Sequence, residues 1–239
     1  MEILGYSLSP KVSAFIAEQR VRIRKKLVFR NLREHPFESH RNLHGICETD
    51  EHTVTIWIDP LGPHPDYTVA HEIMHAVLQV EAFPSTGRPK GYPNDECTAY
   101  VGSMLESTIL DAVIDSRLPL HSIIDTSSSD VVPQKFKQLE RDHKLGQPTE
   151  YGPRFCLWVL DYLHAEIDPT LSPMKKEQLK HKIERTFPRV KSVGEEVIKT
   201  IHNTGFKKPN QALKAMVRIR DALKLRNRCL IMDREGKVY

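Results

Sequence analysis

The pentad His71-Glu-Ile-Met-His75 constrains the fold more than any other part of this chain. It lies within residues 67–80, where no helix breaker occurs and apolar residues recur at helical spacing. Two histidines four residues apart on a helix lie on the same face, about one turn from each other. We therefore expect a helix that buries one apolar stripe and presents two imidazoles together. The stripe consists of Val69, Ile73, Ala76, Val77 and Val80.

The same spacing predicts a chemistry. Two imidazoles one turn apart can bind a single tetrahedral Zn²⁺. Glu72 is offset by one position, so its carboxylate can reach an activated water instead of the metal and act as a general base. The expected activity is that of a zinc metallopeptidase, a hydrolase that cleaves a peptide bond. The alternative is an ordinary amphipathic helix with His71 and His75 on its surface.

The segments before the pentad support the catalytic interpretation. His52 to Asp59 alternates apolar and polar residues, which is typical of a strand. Pro60 to Pro65 then breaks the chain, and Asp66 is a candidate N-cap for the helix that follows. A strand, a turn and an H-E-x-x-H helix in this order is similar to the local arrangement in zincins.

A catalytic zinc site normally has three protein ligands and keeps one position open for water. The next predicted helix, from Asn94 or Asp95 to about Leu118, carries three carboxylate candidates. Glu96 has the spacing that thermolysin-like zincins use, but acidic residues at a helix start also serve as caps. Asp111 lies in an apolar stretch where a lone carboxylate is costly. We favour Asp111, with Glu96 and Glu106 as alternatives.

Asp115 follows Asp111 by four residues and is expected on the same helix face. A second acid one turn beyond a ligand carboxylate is similar to the zincin arrangement in which that acid orients a ligand histidine. We therefore predict that Asp115 supports the metal site without binding the metal. The alternative is a buried polar pair, Asp111 and Asp115, satisfied by the backbone or by Arg117.

The motif helix resembles a known family. Residues 68–78 resemble the motif helix of compact cytosolic zincins, including the ImmA/IrrE-like metallopeptidases. Glu96-Cys-Thr-Ala99 is similar to the E-x-x-A that carries their third ligand. Two positions depart from the family pattern. The usual Asn after the Ala is Tyr100 here, and the usual Leu-Met-Pro is replaced by Met104-Leu-Glu106. Residues 107–118 look more like a helix of uncharacterised bacterial zincin-like proteins. The resemblance covers residues 53–118 and implies a zincin-like fold and zinc, but no particular substrate.

Composition bounds the fold and the compartment. With 239 residues, 39 % hydrophobic and 28 % charged, the chain can form a globular core. No apolar run approaches the roughly 18 residues that a membrane span requires, and the first ten residues lack signal-peptide features. The scattered cysteines are expected to be reduced thiols. We expect a cytoplasmic protein without a membrane partner. The cysteines are Cys47, Cys97, Cys156 and Cys229.

Periodicity predicts an α+β fold that is predominantly helical. Residues 1–126 are expected to form a zincin-like core with a small sheet, the motif helix and a second, ligand-bearing helix. Residues 127–239 are expected to form a helical region packed on this core and to end in a short hairpin. The first helix is predicted from Ser9 to Val28, and Phe29 to Asp50 is expected to be irregular with at most a short strand. Further helices are predicted at 132–145, 155–166, 173–187, 190–203 and 211–225.

The uneven distribution of basic residues bears on which partners the protein can bind. The net charge is +4, and basic residues concentrate in residues 20–26 and in the C-terminal third. No nucleic-acid-binding motif accompanies them, so we interpret them as solvated helix faces. A peptide or protein substrate is the expected partner. The second hypothesis is a zincin-fold scaffold or regulatory module that binds a protein or nucleic-acid partner without hydrolysis.

A peptidase site needs two further parts. The strand from Thr53 to Asp59 is predicted to pair with an extended substrate. An oxyanion-stabilising group is also needed, and four side chains near the motif are candidates that the sequence does not rank: His64, Tyr67, Tyr92 and Tyr100. Five isolated histidines downstream of the motif are expected to be surface or packing residues: His121, His143, His164, His181 and His202.

Overall fold

The computed structural model describes residues 1–36, 44–89, 96–124 and 128–239, of which residues 96–99 and 128–131 are described by their backbone alone. Within these ranges the fold is α+β, with eight helices and small sheets. This agrees with the predicted fold class, while the finer expectation of a zincin-like core stays a prediction. No helix in the described ranges is both long and apolar enough to cross a membrane.

Proline begins most of the helices, because its fixed φ suits the first helical turn and its missing N–H has no partner there. Six of the eight start in this way: α1 (Pro10–Ile23), α2 (Pro65–Val80), α5 (Pro153–Ile167), α6 (Pro173–Thr186), α7 (Pro188–Thr204) and α8 (Pro209–Ala222). The other two are α3 (Glu96–Arg117) and α4 (Ser128–Lys144). The helices predicted from periodicity in the C-terminal half are therefore present.

The strands of the described ranges form three small sheets. Their bounds are β1 (Glu2–Ile3), β2 (Tyr6–Ser7), β3 (Lys26–Asn31), β4 (Gly45–Thr49), β5 (Thr53–Ile58), β6 (Ser85–Gly87) and β7 (Leu230–Met232). In the largest sheet, β5 lies between β3, which is parallel to it, and β4, which is antiparallel. β1 pairs with β2, and β6 with β7. Near the C-terminus the chain also turns back to make one bridge, between Met232 and Val238.

The chain divides into two compact units, one of residues 1–81 and 114–127 and the other of residues 82–113 and 128–239. In the first unit, α2 packs on α1 and on β4 and β5. Four residues of the predicted apolar stripe, Val69, Ile73, Ala76 and Val77, are at most 1 % exposed, whereas Val80 at the end of the helix is 37 % exposed and was wrongly included in the stripe. The predicted boundary near residue 126 stays a prediction.

The first helix ends earlier than the sequence predicts. α1 stops at Ile23 because Arg24 adopts a left-handed conformation with φ of 56° and caps the helix. The chain then enters β3, where the predicted helix 9–28 was expected to continue. Residues 24–28 were wrongly predicted as helix, and the region 29–50, expected to be irregular with at most a short strand, contains half of β3 and all of β4.

The predicted cap of α2 is also wrong. The N-cap is His64, in a left-handed conformation with φ of 54°, and no side chain caps the helix. Asp66 lies within the first turn, where its carboxylate accepts a hydrogen bond from the backbone N–H of Ser9 at 3.2 Å. Asp66 therefore links the start of α2 to the start of α1 and does not cap its own helix.

In the second unit, α5 and α7 approach each other closely at Gly194. A Cβ atom at Gly194 would lie 2.5 Å from Cδ1 of Tyr162, an atom of a rigid ring. Tyr162 is 1 % exposed, and its hydroxyl donates to Glu184 Oε1 at 2.9 Å, so the ring is held from both ends. The two helices can pack at this distance because residue 194 has no side chain.

Gly194→Ala is expected to destabilise the protein by about 1–3 kcal/mol, the usual cost of overpacking a core. Helix propensity alone predicts the opposite, a gain of about 1 kcal/mol. Chemical denaturation measures the difference, with the exposed Ser192→Ala in the same helix as the control. A Gly194→Ala variant more stable than wild type would contradict the close packing.

Candidate metal centre

α2 presents the two histidines of the pentad side by side. The ring centroids of His71 and His75 lie 5.1 Å apart and their planes are inclined by 67°. Both side chains are half-buried. Tyr67, one turn earlier, lies 5.7 Å from His71 between ring centroids. The helix thus forms a short row of three rings on one face, as the spacing of four residues requires.

Asp115 contacts the first of these histidines. Its Oδ1 lies 3.4 Å from Nδ1 of His71, with the two side chains 11 % and 16 % exposed. The Tyr67 hydroxyl donates a hydrogen bond to the same carboxylate oxygen. An imidazole whose Nδ1 faces a carboxylate is held in one orientation and keeps Nε2 for a metal. This is the geometry that the predicted role of Asp115 requires.

Asp111 lies one helical turn before Asp115 on α3. His71, His75 and Asp111 each bring one potential ligand atom to a common point, and these atoms all lie within 4.8 Å of one another. Two imidazole nitrogens and one carboxylate oxygen form a donor set that suits zinc and leaves a coordination position open. The three residues therefore fit the predicted ion by their chemistry and by their convergence.

The two alternative third ligands have different outcomes. Glu106 Oε2 accepts hydrogen bonds from the backbone N–H of Thr86 at 2.6 Å and from its hydroxyl at 2.7 Å, so this carboxylate anchors β6. It precedes Asp111 by five residues, which rotates it by about 140° around the helix. Among the described side chains, Glu106 is not part of the cluster. The side chain of Glu96 lies outside the described residues.

Glu72 lies on the side of α2 that faces β4. Its side chain is 8 % exposed. Burial, and then the negative charge of Glu72, raise the pKa of the Cys47 thiol on β4 to about 12. Cys47 is consequently protonated at neutral pH and is no nucleophile. The position of β4 could not be predicted from the sequence, because residues 29–50 were expected to contain at most a short strand and show no clear alternation of apolar and polar residues.

The four candidates for the oxyanion-stabilising group differ in their surroundings. The Tyr67 hydroxyl donates to Asp115. His64 caps the start of α2 in a left-handed conformation. Tyr100 is 53 % exposed on α3. Tyr92 lies outside the described residues.

The histidines outside the motif include several with acidic partners. The shortest of these separations is between Nε2 of His164 and Oδ2 of Asp168, at 3.2 Å, at the end of α5. Asp168 also accepts hydrogen bonds from the backbone N–H and the hydroxyl of Thr170, both at 2.7 Å. The other four of the five isolated histidines pair with Glu side chains or are exposed: His121 with Glu18, His181 with Glu177 and Glu184, His202 with Glu166, and His143 in solvent.

Comparison with models of protein families, with curated proteins and with solved structures gives no match to this chain. The relation to zincins therefore depends on the pentad and its surroundings, and it stays a prediction.

Substitution of three carboxylates on α3, Asp111, Asp115 and Glu106, tests the metal centre directly. Asp111→Ala is expected to lower zinc affinity by more than the roughly 10- to 100-fold that loss of an outer-shell partner costs, and Asp115→Ala by about that 10- to 100-fold. Glu106→Gln should leave zinc affinity unchanged, because its carboxylate binds β6. Isothermal titration calorimetry with Zn²⁺ measures the zinc affinity of each variant. Equal affinity in Asp111→Ala and wild type would exclude Asp111 as a ligand.

The His164–Asp168 pair predicts a pH dependence of stability. Burial opposes charging of His164, but Asp168, and then the charges of Asp111 and Asp161, raise its pKa overall. Burial likewise opposes ionisation of Asp168, yet His164 and Thr170 lower its pKa overall. The raised histidine pKa stabilises the fold at low pH and loses its effect as the pH rises through it. The lowered aspartate pKa stabilises the fold at high pH and loses its effect as the pH falls through it.

The pair therefore stabilises the fold most between about pH 4 and pH 6.5, the reference pKa values of the two groups. Asp168→Asn is expected to destabilise the protein most in this window and less as the pH rises through the raised pKa of His164. Denaturation of both proteins across this pH range measures the difference. A difference in unfolding free energy that does not vary with pH would contradict the pairing.

Proposed function

We propose that this protein is a zinc-dependent metallopeptidase of the zincin type. The observation that carries the proposal is the convergence of His71, His75 and Asp111 on one point. The identity of the donors supports zinc over harder cations, which prefer oxygen ligands alone. The buried carboxylate of Glu72, next to a ligand histidine in the sequence, supports hydrolysis over a purely structural metal site.

In the proposed mechanism His71, His75 and Asp111 would hold the ion. When bound, zinc would supply a Lewis acid, which would lower the pKa of a water molecule and polarise a carbonyl. Glu72 would accept the proton of the attacking water and pass it to the leaving amine. Asp115, whose Oδ1 lies 3.4 Å from Nδ1 of His71, would hold that ring in one orientation.

The strand that would receive an extended substrate differs from the one predicted. The predicted strand, Thr53 to Asp59, contains β5, whose backbone is already paired with β3 on one side and with β4 on the other. A central strand of this kind cannot bind a further strand. β4 has β5 as its one pairing partner among the described strands, and it lies on the Glu72 side of α2. We propose β4 as the strand that pairs with a peptide substrate.

A second candidate function is a scaffold that binds a polyanionic partner, such as nucleic acid, without hydrolysis. An open cleft of about 630 Å³ between α4 and α6 favours it. The basic side chains that line this cleft are Lys144, Lys182 and Arg185, together with the imidazole of His143. Glu140 is the acidic residue of the lining. A cleft of this charge attracts phosphate groups, and binding through it would weaken steeply with salt.

Glu72→Gln separates the two functions. This change removes the base while it keeps the shape of the side chain, so peptide cleavage is expected to fall by about 10²- to 10⁴-fold. Zinc affinity should be unchanged, because Glu72 is not a ligand in the proposed site. The assay follows cleavage of a mixed peptide library by mass spectrometry, with Glu51→Gln as the control because Glu51 is 88 % exposed. Equal cleavage by Glu72→Gln and wild type would refute the proposed base.

The scaffold function makes a different prediction for the same variants. Binding of a duplex oligonucleotide, measured by fluorescence anisotropy, would be as strong in Glu72→Gln as in wild type and would fall as salt increases. It would also be lost in a variant with Lys182→Glu and Arg185→Glu. Peptide cleavage that depends on Glu72, together with no binding of the oligonucleotide, would favour the peptidase.

A further inference from the structure

Gly45 begins β4 and has no conformational reason to be glycine. It pairs in regular antiparallel register with Ile58 of β5. Its backbone lies outside the left-handed region that favours glycine. Within a strand, glycine costs stability relative to residues that have a side chain. The absence of a side chain at this position therefore needs another explanation.

The space beside Gly45 supplies that explanation, because two side chains of α2 occupy it. A Cβ atom at Gly45 would lie 2.8 Å from both Cγ and Oε1 of Glu72, and 2.7 Å from Cγ2 of Thr68. These distances are shorter than carbon atoms in contact tolerate. The Glu72 side chain thus fills the volume that any side chain at position 45 would need.

A shift of α2 cannot move Thr68 and Glu72 away from position 45. α2 is fixed by its buried stripe, in which Val69 and Ile73, the residues that follow Thr68 and Glu72, are fully buried. Thr68 is 9 % exposed, and its hydroxyl donates to the carbonyl of His64 at 3.2 Å, which holds the methyl group toward the strand. The part that can move is the Glu72 side chain, by rotation about its own bonds.

We propose that Gly45 is a positioning residue for Glu72. Its missing side chain forms the seat in which the Glu72 carboxylate is held between α2 and β4. The importance of this seat for hydrolysis rests on the proposed function, because there Glu72 is the general base. The contact itself does not depend on that function.

The first experiment compares two glycine-to-alanine variants within strands. Gly45→Ala is expected to lower kcat/KM for peptide cleavage by about 10²-fold, the loss that a displacement of about 1 Å can cause. Zinc affinity should not change, because the substitution does not touch His71, His75 or Asp111. Gly87→Ala in β6 is the control. There a Cβ would meet the terminal methyl of Met232 at 2.7 Å, which is flexible and can move away.

A second experiment measures the contact without any assay of activity. Gly45→Ala is introduced into wild type and into Glu72→Ala, and the midpoint of thermal unfolding is measured for all four proteins. We expect a clear fall of the midpoint in the wild-type background and a smaller fall in Glu72→Ala, where the carboxylate no longer fills the seat. An equal fall in both backgrounds would overturn the proposed seat.

A third variant separates the loss of fold stability in Gly45→Ala from the displacement of the Glu72 carboxylate. Thr68→Ser removes the methyl group and keeps the hydroxyl, so in combination with Gly45→Ala it should recover part of the unfolding midpoint. It should not recover the cleavage rate, because the methyl group introduced by Gly45→Ala still displaces Glu72. Recovery of the full rate by Thr68→Ser would overturn the positioning role.

The outcomes also distinguish the two proposals. If Glu72→Gln cleaves peptides as well as wild type, the proposed function fails, and the unfolding cycle still decides whether Gly45 seats Glu72. If Glu72→Gln is inactive and Gly45→Ala retains the wild-type rate, the proposed function stands and the positioning role of Gly45 is refuted.

Discussion

The rotation of α2 about its own axis is the constraint on which the rest of this structure depends. The buried stripe of Val69, Ile73 and Val77 fixes that rotation against α1 and the sheet. Once the stripe is buried, helical geometry decides where every other position points. His71 then faces Asp115, and Glu72 faces β4. One apolar face thus sets the direction of both the ligand pair and the base, although it contains neither.

Much of the fold was predictable because its signals are local. The motif helix has an unbroken apolar period, and β5 alternates from Thr53 to Ile56 before two further buried apolar residues. Prolines mark the starts of the C-terminal helices. β3 was not predicted, because its partner in parallel pairing is distant in sequence and Arg24, which ends α1, is not a residue that usually adopts a left-handed conformation. Pairing of this kind is decided by tertiary packing and leaves no local pattern.

In the candidate site, too, some features have a local sequence signal and others are decided by tertiary packing. The choice of Asp111 over the better-spaced Glu96 followed from its apolar surroundings, and Asp111 is the carboxylate that joins the histidine cluster among the described side chains. The different role of Glu106 depends on Thr86, twenty residues away, so no pattern around Glu106 itself could have revealed it. The contact between Gly45 and Glu72 is likewise a consequence of packing α2 on β4.

The most direct test of this account is the location of zinc in crystals of the zinc-loaded protein, found by anomalous diffraction at the zinc absorption edge. The account predicts one strong peak with a nitrogen of His71, a nitrogen of His75 and a carboxylate oxygen of Asp111 at about 2.0–2.2 Å, as zinc requires. A peak at any other group of side chains, or no peak at these three residues in fully loaded crystals, would contradict the central claim.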